Sequence, residues 1–201
     1  MFRTIFASLI ILIASVSSHA ETIKVKLETT MGDIHIDLYA DKAPITVENF
    51  LRYIDGGHFN GGAFYRVVRM DNQAQNNIKI EVIQGGMSGN SDIGLFEPIK
   101  LERTSDTGLK HLDGTISMAR GGPDTASSEF FICVNDQPSL DFGGMRNADG
   151  QGFAAFGKVT SGMDVVRAIQ NVETDRPEGA LEYTSGQTVL APVIFNSFKR
   201  E

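Results

Sequence analysis

The chain has 201 residues, 18 Lys and Arg against 25 Asp and Glu, a formal net charge of −7, and one cysteine. An acidic balance spread along the chain carries no electrostatic footprint for nucleic acid or anionic lipid, and a single Cys excludes an intrachain disulfide. The length suits one well-buried domain and is short for two.

At the start, Arg3 precedes an apolar run from Ile5 to Val16 and the small-residue stretch Ser17-Ser18-His19-Ala20. The run is too short for a membrane span of roughly 20 residues, and Ser18-x-Ala20 supplies the small side chains of a signal-peptidase site. The expectation is a signal peptide over 1–20, cleaved after Ala20, a single domain over 21–201, and a periplasmic or secreted location. No Cys follows the run, which argues against a lipoprotein anchor.

Thr22 to Leu27 and Asp33 to Tyr39 each alternate apolar and polar side chains around Thr30-Met31-Gly32, the pattern of a half-buried β-hairpin. Pro44 then stands where a first helical turn accepts it, and Val47, Phe50, Leu51 and Ile54 recur at i, i+3, i+4 and i+7 until Gly56-Gly57. That spacing predicts a helix over 44–55 with Glu48 and Arg52 paired on its exposed face. Further strands are predicted at Ala63–Val68, Ile80–Ile83, Thr115–Met118, Phe130–Val134, Ala154–Val159 and Val193–Phe198, and a second helix from Met163 to about Asn171. Short strands with two helices make the pattern of a closed or nearly closed barrel. Segments 70–77, 141–151 and 173–188 read as irregular. Cys133, inside Phe131-Ile132-Cys133-Val134, reads as a buried core thiol.

The common catalytic signatures fail. There is no G-x-S-x-G elbow, no two of His19, His35, His58 and His111 stand at zinc-ligand spacing, and Gly85-Gly86 and Gly121-Gly122 lack the context of a phosphate loop. What remains is an ordered series: Ala43-Pro44-x-x-Val47-x-Asn49-Phe50, Phe64-Tyr65-Arg66-Val67-Val68, Ile83-Gln84-Gly85-Gly86, Gly114-Thr115-Ile116-Ser117-Met118-Ala119-Arg120, Ser128-Glu129-Phe130-Phe131-Ile132, and Phe156-Gly157-Lys158-Val159 with Gly162-Met163. In that order these segments resemble the cyclophilins, over nearly the whole chain from Ile23 to Phe198.

The resemblance implies a mainly β fold, an eight-stranded antiparallel closed barrel capped by two α-helices, and peptidyl-prolyl cis-trans isomerase activity in a groove on the barrel's outside. It implies Arg66 as the catalytic guanidinium, Gln84 as the peptide clamp and Phe131 as the pocket floor. Met118, Ala119 and Arg120 would align the substrate, Leu140 would form the rim, and Val82 and Phe153 would occupy pocket-wall positions. Such chemistry requires no nucleophile, metal or cofactor. The partners it implies are proline-containing, unfolded or partly folded polypeptides, which the leader makes exported ones; the absence of a linker or second domain favours a monomer, and the charge balance and removal of the signal leave no nucleic acid and no stable membrane association.

The chain departs from the family's pattern in four places. Arg66 and Gln84 stand 18 apart where the family typically has eight and a Pro-Gly turn, so a ten-residue insertion lies between them. Glu81 and Val82 replace an aromatic and a methionine. Ser139 replaces a tryptophan associated with cyclosporin binding, which implies weak binding of that peptide. Phe153 stands at a histidine or tyrosine site. If Glu81 faces the groove, its carboxylate would pair with Arg66 and compete with substrate. The altered wall keeps a rival reading open, a proline-peptide-binding chaperone module of the same fold with little or no turnover.

Overall fold

The structure is a computed structural model that describes residues 22–87, 95–175 and 182–201. The expected signal peptide over 1–20 lies outside the described residues, as does part of segment 173–188. The strands are β1 (Thr22–Thr29), β2 (Gly32–Tyr39), β3 (Ala63–Val68), β4 (Val82–Gly86), β5 (Thr115–Met118), β6 (Phe130–Cys133), β7 (Ala155–Ser161) and β8 (Thr188–Arg200). They close into one antiparallel barrel in the order β1-β2-β7-β5-β6-β4-β3-β8, which leaves no unpaired edge.

The hairpin appears as its alternation predicts. β1 and β2 pair from Thr22↔Tyr39 to Thr29↔Gly32, and Val25, Leu27, Ile34, Ile36 and Leu38 all point into the barrel, essentially without exposure. Helix α1 (Pro44–Asp55) buries the four residues of its predicted apolar face. Phe50 stands at the centre, its ring 4.9–5.5 Å from those of Phe59, Phe130, Phe156 and Phe198. The Glu102 carboxylate accepts hydrogen bonds from the Ile45 and Thr46 amides and the Thr46 hydroxyl, placing negative charge at the helix's positive end. The expected Glu48–Arg52 pair does not form. Arg52 lies over the Phe96 ring instead, 3.8 Å from its centroid, a partner no helical spacing could reveal.

Helix α3 (Met163–Gln170) buries Val166 and Ile169, and its Val165 packs on Gly32. Because α1 follows the last residue of β2 while α3 rests against the first, the two helices cover opposite ends of the barrel. A third helix, α2 (Thr104–Thr107), is a single turn, too short for periodicity to reveal.

Two strands near the groove differ from their predicted bounds. β4 is Val82–Gly86 rather than Ile80–Ile83. Gly85 and Gly86 read as turn residues, yet they are strand residues crowded by neighbours: a Cβ on Gly85 would stand 2.5 Å from the Ala63 carbonyl oxygen, and one on Gly86 would collide with the Glu129 carboxylate. β8 begins at Thr188, five residues before the predicted start, with Pro192 inside it.

Candidate active site

Arg66, Gln84, Phe131 and Ser117 stand directly opposite one another across β3, β4, β6 and β5. Side chains alternate faces along a strand, so residues in one cross-strand row share a face. The next row, Val67, Ile83, Ile132 and Ile116, is completely buried in the barrel core. The row that begins with Arg66 therefore lies on the outer face, under an open cavity of about 270 Å³ that Arg66, Gln84 and Phe131 all line.

The Arg66 guanidinium is held by neutral oxygens. Its Nη1 donates to Gln84 Oε1 at 2.8 Å, while Nε and Nη2 donate to Gln187 Oε1 at 2.9 and 2.6 Å. Three of its five N–H donors are thereby used and two are left. Burial pushes its pKa down, the neighbouring Tyr183 opposes this, and the Arg146 charge adds to the depression; the group stays protonated nonetheless. The Tyr183 ring lies 5.3 Å from the Arg66 guanidinium carbon. Gln84 is fixed in turn: its Nε2 donates to the Tyr65 hydroxyl at 2.9 Å, and that hydroxyl donates to Glu129 Oε2 at 2.6 Å. Glu129 also accepts from the Met87 amide. Burial pushes both Tyr65 and Glu129 up, which favours the protonated phenol.

Behind the apolar half of the cavity is a second cluster outside the barrel, Val68, Ile80, Val82, Phe131, Cys133, Leu140 and Phe153 with Ala119 against it, of which all but Val68 and Cys133 line the cavity. The Phe153 ring stands edge-on to Phe131 at 5.4 Å, and His111 stacks on Phe131 at 6.0 Å. His111 is itself clamped, Nδ1 at 2.8 Å from Asp141 Oδ1 and Nε2 at 2.9 Å from Ser117 Oγ. Val82, Ala119, Arg120, Leu140 and Phe153 all line the cavity as expected. Cys133 is buried, and burial pushes its thiol pKa well up, away from reactivity.

One expectation is corrected. Met118 does not stand in the groove to align a substrate: it pairs with Phe130, shares the inward face with Ile116, is 1 % exposed, and belongs to the barrel core. The amides of Met118 and Ala119 are also committed, donating to the Ala154 and Glu129 carbonyls, so neither is free for a substrate. Glu81 does not pair with Arg66. Its Oε2 accepts from Asn135 Nδ2 at 2.9 Å while its carbonyl accepts from the Val134 amide, because one residue before Val82 the alternation turns it off the groove face. Arg120 brings no free charge to the cavity, since Asp149 takes it bidentately at 2.7 and 3.0 Å and is held down to about 2 by that guanidinium.

Sequence reasoning missed Gln187, Tyr183, Arg146 and Ile80, all from segments read as irregular or next to one. Gln73, fully buried in the insertion, staples that loop by donating to the Arg69 and Ile80 carbonyls. Gln75 donates to the Tyr183 and Ser185 carbonyls, and Arg146 Nη1 to the Ile78 carbonyl at 2.6 Å. The three irregular segments thus meet as one wall. The number of Asn, Gln and Gly residues in them was visible, but nothing local said where they would meet.

An unneutralised guanidinium beside an aromatic-floored pocket, on the outer face of a closed antiparallel barrel, defines a cyclophilin-like site. The family model described as cyclophilin type peptidyl-prolyl cis-trans isomerase/CLD matches residues 24–188. The peptidyl-prolyl cis-trans isomerase of Acinetobacter baylyi is 39% identical over 162 residues, 79% of this chain and 78% of that one. Peptidyl-prolyl cis-trans isomerase B of Escherichia coli is 41% identical over 155 residues, 76% and 87% of the two chains. A solved cyclophilin-type isomerase of Cryptosporidium parvum has the same fold, with a TM-score of 0.67 at 21% identity over 90% of this chain and 98% of its own. The chain belongs to the cyclophilin-type peptidyl-prolyl cis-trans isomerase family.

Proposed function

We propose that the protein accelerates X-Pro rotation in exported polypeptides during their folding, with Arg66 as the transition-state donor, Gln84 as the clamp on the neighbouring peptide, and Phe131 as the floor that holds the pyrrolidine ring. Rotation must break amide resonance against a barrier of about 20 kcal/mol, so the uncatalysed event takes tens of seconds or longer. A site need only bind the twisted amide better than either planar isomer. As resonance is lost the prolyl nitrogen gains a lone pair, and a guanidinium can hydrogen-bond it only then. The observation that carries the reading is the state of Arg66: locked by two neutral amide oxygens, with two donors left over and no ion pair among the described residues. A carboxylate partner would compete with the developing lone pair; an amide oxygen orients the fork without neutralising it.

Isomerisation of a short Ala-Pro peptide, beside an Arg66→Ala variant, tests this. Loss of one preorganised donor should lower kcat/KM about 100-fold. An unchanged rate would overturn the role of Arg66, and no acceleration by folded wild-type protein would favour a proline-binding chaperone module.

Export rests on the leader-like composition of residues 1–20. Protein recovered from the periplasm or medium should begin at Glu21; recovery of the intact chain in the cytoplasm would overturn the location. A monomer is proposed with it, which light scattering would check.

A further inference from the structure

Arg146 lines the same cavity but plays no part in the mechanism above. It is 8 % exposed, from the irregular loop that follows Leu140, and one end of its fork is anchored: Nη1 donates to the Ile78 carbonyl at 2.6 Å and to Gln73 Oε1 at 3.3 Å. Its Nε and Nη2 have no partner among the described residues, although both are buried. Those two nitrogens form the side-on edge of a guanidinium, the edge that takes the two oxygens of a carboxylate in parallel. Asn147 Nδ2 is a further buried donor without a partner among the described residues, and its residue belongs to the same cavity lining.

The surroundings supply donors and positive charge, and the cavity lining holds one carboxylate, Glu129. The ion pairs made by arginines among the described residues involve Arg69, Arg103, Arg120, Arg167 and Arg200, not Arg66 or Arg146. The Glu129 carboxylate at the cavity is engaged by Tyr65 and Met87. Arg66 and Arg146 lie against the same Tyr183 ring, 5.3 and 5.5 Å from its centroid. Buried donors left unsatisfied are costly and rare; both nitrogens are closed to solvent in this structure, so an acceptor reaches them only when the surrounding side chains part.

We infer that Arg146, with Asn147, is a carboxylate receptor in the substrate groove, and that the protein selects proline peptides carrying a carboxylate close to the prolyl ring. The inference rests on the isomerase reading of the same groove and concerns its substrate class. The carboxylate has two possible sources, an acidic side chain next to the proline or the free C-terminus of a chain that ends in proline.

The test uses twin peptides that differ only in charge: N-acetyl-Ala-Glu-Pro-Phe-amide against its Gln twin, and N-acetyl-Ala-Pro with a free carboxylate against its amide. Prolyl exchange by NMR gives kcat/KM for each. One charged twin should exceed its neutral partner at least tenfold at low salt, and which pair shows the preference identifies the source. In Arg146→Gln the ratio should fall below two; Arg146→Lys, which keeps the charge and loses the fork, should retain only part of it. Equal rates within both wild-type pairs, or a preference that survives Arg146→Gln, would overturn the inference. If none of the four peptides is turned over, the isomerase reading fails separately, and the dissociation constants of the same twins decide the receptor by the same ratio.

Discussion

Arg66 and Gln84 face each other directly in the β3–β4 ladder although 18 positions separate them, and Arg66 Nη1 donates to Gln84 Oε1 at 2.8 Å. The inserted residues leave the barrel after β3 and return before β4 without disturbing the pair. Closing a longer loop adds little entropy cost, because the cost grows only with the logarithm of length, and the buried Gln73 side chain fastens the loop's ends to each other.

Gln187 is a positioning residue for Arg66. Gln187→Met removes the acceptor of both Nε and Nη2 and frees the fork to swing. The expected outcome is a fall of about tenfold in kcat, equivalent to roughly 1.4 kcal/mol of barrier, with KM changed less than twofold. Steady-state kinetics on an Ala-Pro peptide separates the two; an equal loss through KM would mean that Gln187 contacts the peptide instead.

Tyr65→Phe cuts the relay from Glu129 to Gln84 and should cost about 1–2 kcal/mol, as a buried hydrogen-bond partner is lost. Burial already raises the Glu129 pKa. A carboxyl raised on folding adds stability below its ordinary range, and that stability is lost as pH rises through the folded value. Without the phenol donor the raised value climbs further. The drop in Tm caused by the substitution should therefore be larger at pH 8 than at pH 4, and equal drops at both would refute the relay.

His111 predicts the opposite slope. Burial lowers its pKa from 6.5, outweighing the Asp141 bond, so the folded state holds it neutral. Its contribution is present above the ordinary histidine value and is lost as pH falls through the lowered folded value, since the unfolded chain takes up the proton first. Burial pushes Asp141 up, but its bonds with His111 hold it below its ordinary 3.8, so it acts in a lower window. Between pH 6.5 and 5 the wild-type Tm should fall, and in His111→Gln that fall should flatten. An unchanged slope would place the pH sensitivity elsewhere.

Glu81→Phe should change kcat/KM less than twofold, because the carboxylate is turned toward Asn135 rather than Arg66. A clear rise in activity would show that Glu81 reaches the groove in solution.

Much of the site was legible because it is built on strands. In Arg66-Val67 and Phe130-Phe131-Ile132 the alternation places Arg66 and Phe131 on the face opposite the buried Val67, Phe130 and Ile132, whereas the register shift between Phe64 and Arg66, which alternation does not reveal, separates Arg66 from the inward face of Phe64. The same alternation sets Met118 with Ile116 and apart from Ser117, which is why Met118 belongs inside the barrel. The bounds of β4 were not legible, since Gly85 and Gly86 look like turn residues until the Ala63 carbonyl and the Glu129 carboxylate crowd them.

The amino-acid sequence alone determined the hairpin, α1 and the family, because periodicity and short motifs act over a few residues. Only the tertiary structure decided that Gln187 would orient Arg66, that Glu81 would face Asn135, and that Arg146 would stand buried beside Tyr183 with two nitrogens unpaired among the described residues. Those relationships join residues more than 30 positions apart, and contacts across such distances leave no period in the chain; they exist only once the barrel has closed and brought the three irregular segments to one side of it.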